Sequence, residues 1–369
     1  MSRTGPVGVG IIGAGNISTQ YLDSLTAFPD IEVHVVADLS EAAAASRAAE
    51  YRIDAWGGVD AALNHPDVEI IVNLTTPAAH VEVATAAVRA GKHVWSEKPF
   101  SLDRESGLAL LRTAEAAGLR LGCAPDTFLG AGLQSARRAI DHGDIGVPLT
   151  GQTVMQYAGP DAWHPNPGFL FGEGAGPLFD MGPYYLTALI QTFGPVAKVA
   201  AVGSRAREVR TVGSGTRAGE QFPVTVPTHV SALAQFRNGT SSHSVFSFDS
   251  PLTRTGFFEI TGTEATLAIP DPNVFDGQLR ILPRGSEDWK TLPVTGSAAG
   301  RGVGVLEMAR ALRSGVPHRA QGELAYHVLD TMVSISESID TGAFVGVDSS
   351  AAPAPALPED WDPAEATLG

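Results

Sequence analysis

The first third of the chain alternates between short apolar runs and longer stretches in which alanine recurs with a helical period. The apolar runs are VGVGIIG (7–13), EVHVVAD (32–38), EIIVNLT (69–75), HVWSE (93–97) and LRLGC (119–123). The helical stretches are about 17–28, then 41–51, 79–91 and 104–118. Strands that are apolar throughout and separated by helices indicate a parallel sheet covered on both faces. The pattern therefore predicts an α/β Rossmann domain, a doubly wound parallel sheet, over residues 1–124.

Beyond residue 124 the period changes from helical to alternating. A helix is predicted at about 130–142, followed by a Gly/Pro-rich segment at 158–183. Alternating strands then follow at 154–157, 198–203, 229–236, 242–248, 257–262 and 265–270, with turns such as Asn238-Gly239. This pattern predicts an α+β domain over 125–348 with a large, mostly antiparallel sheet.

Three further segments of this second half lack the alternating pattern. Residues 204–222 are polar and without period, which predicts a surface loop. Helical patterns return at 303–315 and 324–340, and the Ala/Pro-rich residues 349–369 are expected to form a poorly ordered tail.

Composition excludes several function classes. Forty acidic and 25 basic residues give a net charge of -15, so nucleic acid and anionic membrane surfaces are not expected partners. The single cysteine, Cys123, cannot form an internal disulfide, which favours a reducing cytoplasm. The N-terminal segment MSRTGPVGVGIIG is a poor signal peptide and too short an apolar run to span a membrane.

A glycine turn after the first strand is the first candidate ligand site. Gly13 permits a tight turn, and Gly15 lets a pyrophosphate approach the N-terminus of the next helix. Ser18 stands where the usual fingerprint has its third glycine. The next strand ends in Asp38, an acid placed to bind the ribose hydroxyls, and no arginine follows it to pair with a 2'-phosphate. The turn therefore predicts a dinucleotide site for NAD rather than NADP.

Two shorter motifs carry candidate chemistry. Lys98, in EKP, follows a predicted parallel strand, and the carboxyl ends of such strands face the ligand crevice. The alternative is a surface pair with Glu97. In DMGPYY, Pro183 fits the first turn of a helix and Gly194 fits just past its end, which places Tyr184 one turn from Asp180. These two are either a helix cap and a core residue or parts of a catalytic site.

These motifs together resemble a known family. GIIGAGNIS (10–18), TPAAH (76–80), AGKHVWSEKP (90–99) and GAGPLFDMGPYY (174–185) occur in the order found in the glucose-fructose oxidoreductase, inositol dehydrogenase and rhizopine-catabolism family, Gfo/Idh/MocA. The resemblance implies a Rossmann domain, an α+β domain whose open sheet commonly mediates oligomers, and NAD(P)-dependent oxidation of a secondary alcohol of a sugar or cyclitol. It also implies a homo-oligomer, either a dimer or a tetramer.

The resemblance assigns site residues one by one. Lys98 matches the lysine that lies near the nicotinamide and the substrate hydroxyl, and Asp180 matches the aspartate of the family pattern D-x-G-x-H. Tyr184 stands where that pattern has its histidine general base, so the identity of the base is open. The cofactor-binding set is Gly13, Gly15, Asn16, Ile17, Asp38, Thr75, Thr76, Pro77, His80, Glu97 and Lys98.

Two side chains can replace the missing histidine. An ammonium such as that of Lys98 would favour the phenolate form of Tyr184, which could then take the proton. The alternative is that Tyr184 only stacks on the substrate. His164, in a proline-rich loop, has a suitable unperturbed pKa, or is only a loop residue. Trp163 offers a flat face to a sugar ring, and Asp126 is a candidate to bind a hydroxyl. The expected substrate contacts are thus Lys98, Asp126, Trp163, His164, Asp180 and Tyr184.

The sequence therefore predicts an NAD-dependent dehydrogenase of a sugar, sugar derivative or cyclitol. One alternative is a dinucleotide-binding sensor that has lost catalysis, motivated by the missing histidine. Another is an enzyme that keeps NAD bound as a recycled redox group for elimination or glycoside cleavage. The remaining histidines have no metal-ligand spacing, so no metal is expected.

Overall fold

The computed structural model describes residues 4–369, which fall into two units. Among the described residues, unit 1 comprises 4–131, Gly296–Leu329 and Leu357–Gly369, and unit 2 comprises Gly132–Thr295 and Asp330–Ala356. The first three residues of the N-terminal segment, judged above a poor signal peptide, lie outside the described residues. Within residues 4–369, no helix is both long and apolar enough to cross a membrane.

Unit 1 contains a six-stranded parallel sheet. Its strands are β1 (Val7–Ile12), β2 (Ile31–Ala37), β3 (Ala55–Gly57), β4 (Ile70–Asn73), β5 (His93–Ser96) and β6 (Leu121–Cys123). The order is β3-β2-β1-β4-β5-β6, which is the Rossmann order. Helices α1 (Asn16–Leu25), α2 (Glu41–Tyr51), α3 (Val59–Leu63), α4 (His80–Arg89) and α5 (Arg104–Ala116) connect the strands. All residues of β1 and β4 are buried, as expected of strands covered on both faces.

Unit 2 is built on a nine-stranded mixed sheet. Helix α6 (Ala131–His142) leads into β7 (Pro148–Gln156), and α7 (Gly176–Phe193) leads into β8 (Val196–Ser204). The later strands are β9 (Val209–Thr211), β10 (Gln221–Pro223), β11 (His229–Phe236), β12 (Ser241–Ser247), β13 (Arg254–Gly262), β14 (Ala265–Ala268), β15 (Leu279–Pro283) and β16 (Lys290–Leu292). The large sheet has the order β16-β15-β14-β13-β7-β12-β11-β8-β17, where β17 is Val345–Gly346, and α7 packs on its central strands. Strands β7 and β12 pair in parallel, whereas the other pairs in this sheet are antiparallel.

Two helices follow β16 and lie where the helical patterns at 303–315 and 324–340 predict them. Helix α8 (Val303–Ser314) belongs to unit 1, and α9 (Gly322–Thr341) runs from unit 1 into unit 2. The ring of Trp95 in β5 lies so close to α8 that a side chain on Gly304 would meet it at 2.1 Å. Helix α8 therefore covers the Rossmann sheet of unit 1, although it comes some 180 residues after β6 in the sequence.

The start of α7 differs from the prediction. The helix begins at Gly176, and Pro183 lies inside it rather than in its first turn. Pro177 takes the first-turn position instead, and Gly194, with φ of +84°, ends the helix as expected. The sequence placed Pro183 in the first turn because a proline inside a helix loses one main-chain hydrogen bond and its ring crowds the preceding turn.

Residues 204–222 also differ from the prediction. Strands β9 and β10 lie in this segment and pair in antiparallel register, with Phe222 opposite Arg210. Arg210 is buried, with only 4% of its surface exposed. The segment was predicted as a surface loop because a buried arginine and its polar neighbours carry no apolar period.

The chain is divided between the units differently from the predicted domains. Residues 296–329 and 357–369 cluster with the Rossmann sheet, whereas the sequence placed them in the second domain and the tail. Residues 349–369 contain no helix or strand, but they are not a loose tail. Asp30, fully buried, accepts hydrogen bonds from the main chain of Thr367 and Leu368, and Arg310 donates to the carbonyls of Asp362 and Glu365.

Candidate active site

The glycine turn has the geometry that a dinucleotide phosphate needs. Gly13 has φ of +110°, and a side chain there would lie 2.6 Å from the carbonyl of Leu74. Gly15 precedes α1, and a side chain at Gly15 would meet no atom of the described chain. The space next to the first N–H groups of α1 is therefore open on the Gly15 side, where an anion is favoured. Ser18 is fully buried and donates to the Gly15 carbonyl, so it fits where a third glycine usually packs.

Asp38 lies at the end of β2, directly against this turn. Its carboxylate accepts hydrogen bonds from the main-chain N–H of Ala14 at 2.8 Å and of Ser40 at 2.8 Å. A carboxylate has about four lone-pair positions, so acceptor capacity remains for two ribose hydroxyls. The residues present thus fit an adenine dinucleotide, with Asp38 held in place by the turn that would bind the pyrophosphate.

The side chain of Asn73 helps to fix the segment after β4. Asn73, fully buried, accepts hydrogen bonds from the N–H and hydroxyl of Thr75 and donates to the carbonyl of His80. Thr76 precedes a short 3-10 turn that begins at Pro77. Because the carboxyl end of β4 neighbours that of β1, the structure brings Thr75, Thr76 and Pro77 to the same sheet edge as Gly13.

His80 differs from the expectation that it contacts the cofactor. Its ring is buried, and its two nitrogens lie 2.8 Å from the Pro99 carbonyl and 3.0 Å from the Thr75 carbonyl. The ring therefore lies between the loop after β4 and the EKP turn, and in its neutral form it donates a hydrogen bond to one of these two carbonyls. Its influence on a ligand is therefore indirect, through Thr75 and Pro99.

Glu97 and Lys98 follow β5 at the carboxyl edge of the sheet. Glu97 is 8% exposed, and its Oε1 accepts a hydrogen bond from the Tyr21 hydroxyl at 2.8 Å. Its Oε2 accepts the main-chain N–H of Lys98 at 3.0 Å. Lys98 is partly exposed. The surface-pair alternative therefore fails for Glu97, which is an internal carboxylate.

Asp126 also differs from its predicted role. It is fully buried, and its Oδ2 accepts hydrogen bonds from the N–H groups of Gly302 and Gly304, at the start of α8. Burial raises the pKa of Asp126 to about 6, against the opposing effects of Arg301 and the two glycine N–H groups. Through its Oδ2, Asp126 therefore caps a helix inside unit 1, a role that the sequence did not predict.

Asp180 and Tyr184 lie on one continuous helix in unit 2. Both belong to α7, four residues apart, so they share a face of that helix. Tyr184 is 4% exposed, whereas Asp180 is partly exposed. The predicted juxtaposition of a carboxylate and a phenol is thus confirmed, although the helix that carries them begins earlier than expected.

The loop before α7 presents an aromatic cluster. Trp163 is 62% exposed and Phe169 is 54% exposed, and the ring of His164 makes edge contacts with both. The Nδ1 of His164 accepts the main-chain N–H of Asn166 at 3.0 Å, so the neutral ring carries its proton on Nε2. In this arrangement His164 can donate a hydrogen bond, but it has no unprotonated nitrogen facing outwards.

Two residues that matter to these segments were missed in the sequence. Tyr21 holds Glu97, and Arg210 holds the loop at 158–171 through Asp161 and the Ala158 carbonyl. A buried tyrosine in α1 reads as core from its period alone, and its partner lies 76 residues away. For Tyr21 and Arg210, the only signal in the sequence was that polar groups are rarely buried.

A parallel sheet in this order, with a glycine turn after β1 and an acid after β2, defines a dinucleotide-binding protein of the Rossmann class. The family model described as "Oxidoreductase family, NAD-binding Rossmann fold" matches residues 7–124. The model of the GFO/IDH/MocA C-terminal domain matches residues 133–268. The two matches together cover more than half of the chain. The chain belongs to the Gfo/Idh/MocA oxidoreductase family and is an enzyme of that class.

Individual relatives agree with this assignment. The 1,5-anhydro-D-fructose reductase of Ensifer adhaerens is 28% identical over 267 residues, which cover 70% of this chain and 74% of the relative. The inositol 2-dehydrogenase of Salmonella typhimurium is 28% identical over 166 residues, and the match spans 42% of this chain and 49% of that enzyme. A structure of levoglucosan dehydrogenase in complex with NADH and L-sorbose has a TM-score of 0.81 at 20% identity, covering 94% of this chain and 100% of that one. The last comparison shows a shared fold.

Proposed function

We propose that this protein is an NAD-dependent dehydrogenase that acts on a secondary hydroxyl of a sugar, sugar derivative or cyclitol. The observation that carries the proposal is Lys98, placed at the carboxyl edge of the Rossmann sheet by a buried carboxylate, on the edge that also bears the glycine turn. The named reductase and dehydrogenase relatives support the substrate class. When bound, NAD supplies the chemistry of hydride exchange with a carbon that bears a hydroxyl.

Asp38 supports NAD as the cofactor rather than NADP. Its carboxylate is fixed by two main-chain N–H groups and would repel a phosphate on the ribose 2'-oxygen. The sequence continues with Leu39 and Ser40, neither of which offsets that charge. We expect Asp38→Ala to raise KM for NAD and to narrow the preference over NADP, as measured by kcat/KM for each cofactor.

The proposed acid-base chemistry divides among four residues. The ammonium of Lys98 holds the substrate oxygen and stabilises negative charge on it while its proton leaves. Asp180 orients a hydroxyl, and Tyr184, on the same face of α7, accepts the proton as a phenolate. His164 donates a hydrogen bond from Nε2, because its Nδ1 is already occupied by Asn166. Trp163 lies against the apolar face of the sugar ring.

The decisive experiment measures NADH formation by absorbance with a panel of sugars and inositols. On the best substrate, we expect Lys98→Ala to lower kcat by about 100-fold or more while NAD affinity is retained. Lys290→Ala is the matched control, since Lys290 lies on the exposed edge strand β16. Near-normal turnover in Lys98→Ala removes the lysine from the mechanism.

The proton acceptor is assigned by pH-rate profiles of two variants. Tyr184→Phe is expected to abolish the titrating limb of kcat/KM, whereas His164→Ala raises KM and keeps that limb. The opposite pattern assigns the base to His164 and overturns the assignment to Tyr184.

Cofactor binding has its own test. Gly13→Ala forces a side chain to within 2.6 Å of the Leu74 carbonyl at a positive φ. We expect this variant to lose measurable NAD binding by calorimetry, while Gly91→Ala, at a positive φ with open space around it, keeps binding. Unchanged affinity in Gly13→Ala contradicts the turn as the pyrophosphate site.

The same assays separate the two alternative functions. A sensor that has lost catalysis binds NAD but yields no NADH with any polyol. An enzyme that recycles bound NAD converts substrate without accumulating NADH in solution. Release of NADH in step with substrate oxidation supports the dehydrogenase against both.

We propose a homo-oligomer assembled through the open face of the nine-stranded sheet. Val202 is 69% exposed on β8, Leu233 is 51% exposed on β11, and Phe344 is 62% exposed before β17. Leu233 pairs with Ala200, so these apolar groups form one patch on adjacent strands. The occupant is a second copy of the chain. Light scattering should show a dimer or tetramer that Leu233→Glu dissociates, and a monomeric wild type contradicts the proposal.

A further inference from the structure

We propose that Tyr21 is a positioning residue: through Glu97, its hydroxyl fixes the main chain of Lys98 relative to the helix that begins at the glycine turn. This inference rests on the proposed role of Lys98. Tyr21 is fully buried on α1, and Gly15 is the residue that precedes that helix. Tyr21 and Glu97 therefore connect the helix that begins at the glycine turn to Lys98.

The direction of each hydrogen bond is set by chemistry. The indole nitrogen of Trp95 can only donate, and it lies 3.2 Å from the Tyr21 hydroxyl oxygen. The hydroxyl oxygen of Tyr21 therefore accepts a hydrogen bond from Trp95, and the hydroxyl donates a hydrogen bond to Glu97 Oε1, 2.8 Å away. Because the Tyr21 hydroxyl both accepts and donates a hydrogen bond, its orientation is fixed. The orientation of the Glu97 carboxylate is then fixed as well.

The carboxylate then acts on Lys98. Its second oxygen accepts the Lys98 main-chain N–H at 3.0 Å, which leaves each carboxylate oxygen tied to a different segment. Arg301 lies 4.0 Å from Glu97 and neutralises part of its charge. Removal of the Tyr21 hydroxyl leaves one carboxylate oxygen without its donor, and the carboxylate can turn and carry the Lys98 main chain with it.

The phenol serves as a donor and not as a base. Burial, together with the charges of Glu97 and Asp126, raises the pKa of Tyr21 well above its ordinary value. Tyr21 thus remains protonated over the working range of a dehydrogenase, and its contribution to turnover passes through Lys98.

The test compares Tyr21→Phe with Tyr51→Phe. Tyr51 is the matched control, because its hydroxyl also binds α1, donating to Asp23 at 2.7 Å, without contact to Glu97. Misplacement of a catalytic group by about 1 Å costs on the order of 100-fold, so we expect Tyr21→Phe to lower kcat by about 10- to 100-fold. The KM for NAD should stay within about threefold of wild type, and Tyr51→Phe should leave both constants unchanged.

A readout independent of turnover follows the lysine itself. The chain has only four lysines, at positions 92, 98, 198 and 290, so reductive methylation with carbon-13 gives few signals, and Lys98→Arg identifies the one from Lys98. We expect Tyr21→Phe to move that signal and its titration midpoint while the other three stay. This arm remains decisive if no polyol is oxidised, an outcome that would overturn the proposed function alone.

Two results overturn the positioning role. One is a kcat and a Lys98 signal that both match wild type in Tyr21→Phe. The other is a kcat loss that comes with a lower melting temperature and an unmoved Lys98 signal, which indicates general destabilisation. If Tyr21→Phe does not fold, Glu97→Gln keeps the size of the side chain but removes the charged acceptor, and it must move the same signal.

Discussion

Arg210 is expected to be among the most sensitive residues of unit 2. Its Nη1 donates to the Ala158 carbonyl at 2.9 Å and to Asp161 at 2.6 Å, and its Nη2 donates to the Phe248 carbonyl at 2.6 Å and to Asp249 at 2.5 Å. The guanidinium also lies 4.9 Å from the ring centre of Phe171. One side chain, 2% exposed, thus joins strand β9 to the loop that carries the aromatic cluster.

The effect of Arg210→Ala follows from what it leaves behind. The carboxylates of Asp161 and Asp249 are each 14% exposed and would lose their cation together. Breaking a buried pair by removing one partner costs about 3–5 kcal/mol of unfolding free energy. At about 2–4 °C per kcal/mol for a unit of this size, the melting temperature should fall by about 6–20 °C.

The assay is thermal unfolding, with Arg205→Ala as the matched control. Arg205 pairs with Glu208 at the surface, where the two side chains are 32% and 77% exposed, and such a pair contributes about 0–1 kcal/mol. Hydrogen exchange should also show faster exchange at the main-chain N–H groups of His164 and Asn166 in Arg210→Ala. A melting temperature for Arg210→Ala close to that of Arg205→Ala refutes this reasoning.

Two further predictions concern pH and the segment 357–369. Burial alone would raise the pKa of Asp30, but hydrogen bonds from Thr367, Leu368 and Arg310 outweigh it and hold that pKa below its ordinary value. The stability from Asp30 is thus present above the unfolded pKa, about 3.9, and lost as pH falls through the lower folded pKa. Asp30→Asn should therefore lower the melting temperature at neutral pH, with a smaller effect near about pH 3, whereas Glu32→Gln, two residues away on β2, should change little; equal effects at both pH values contradict the linkage. Burial lowers the pKa of His93 and of His318 to about 4, so stability should fall as pH drops from about 6.5 towards 4, where only the unfolded chain takes up these protons. In His93→Asn, which keeps an acceptor for the Arg120 N–H, the slope of unfolding free energy against pH should be shallower by up to about 1.4 kcal/mol per pH unit, and an unchanged slope in denaturant titrations contradicts this.

Local pattern predicted the elements that local physics determines. Strands β1 and β4 were recognised because a strand buried on both faces must be apolar throughout. Strand β3 was missed because it has three residues and a half-exposed Trp56. The strand order depends on pairings between distant segments. In the sequence, only the motifs that follow the strands indicated that order.

The candidate site shows the same division. Gly13, Asp38 and Lys98 could be selected as candidates from the sequence because each follows a strand of the parallel sheet. Asp126 was assigned to substrate because its partners, Gly302 and Gly304, lie about 180 residues further along the chain. A polar residue in a sequence indicates that a partner is needed but not which one, and Asp126 finds partners inside the protein for its Oδ2.

The discontinuity of unit 1 affects how this enzyme can be dissected. A fragment cut at the predicted boundary, residue 124, would retain all six strands of the Rossmann sheet but not α8, whose backbone lies against Trp95. In such a fragment Asp30 would lose its hydrogen bonds from the main-chain N–H groups of Thr367 and Leu368. It would also lose Arg310, which binds the Asp362 carbonyl. Unit 1 therefore cannot be excised with a single cut, and a fragment for cofactor studies should retain α8 and residues 357–369.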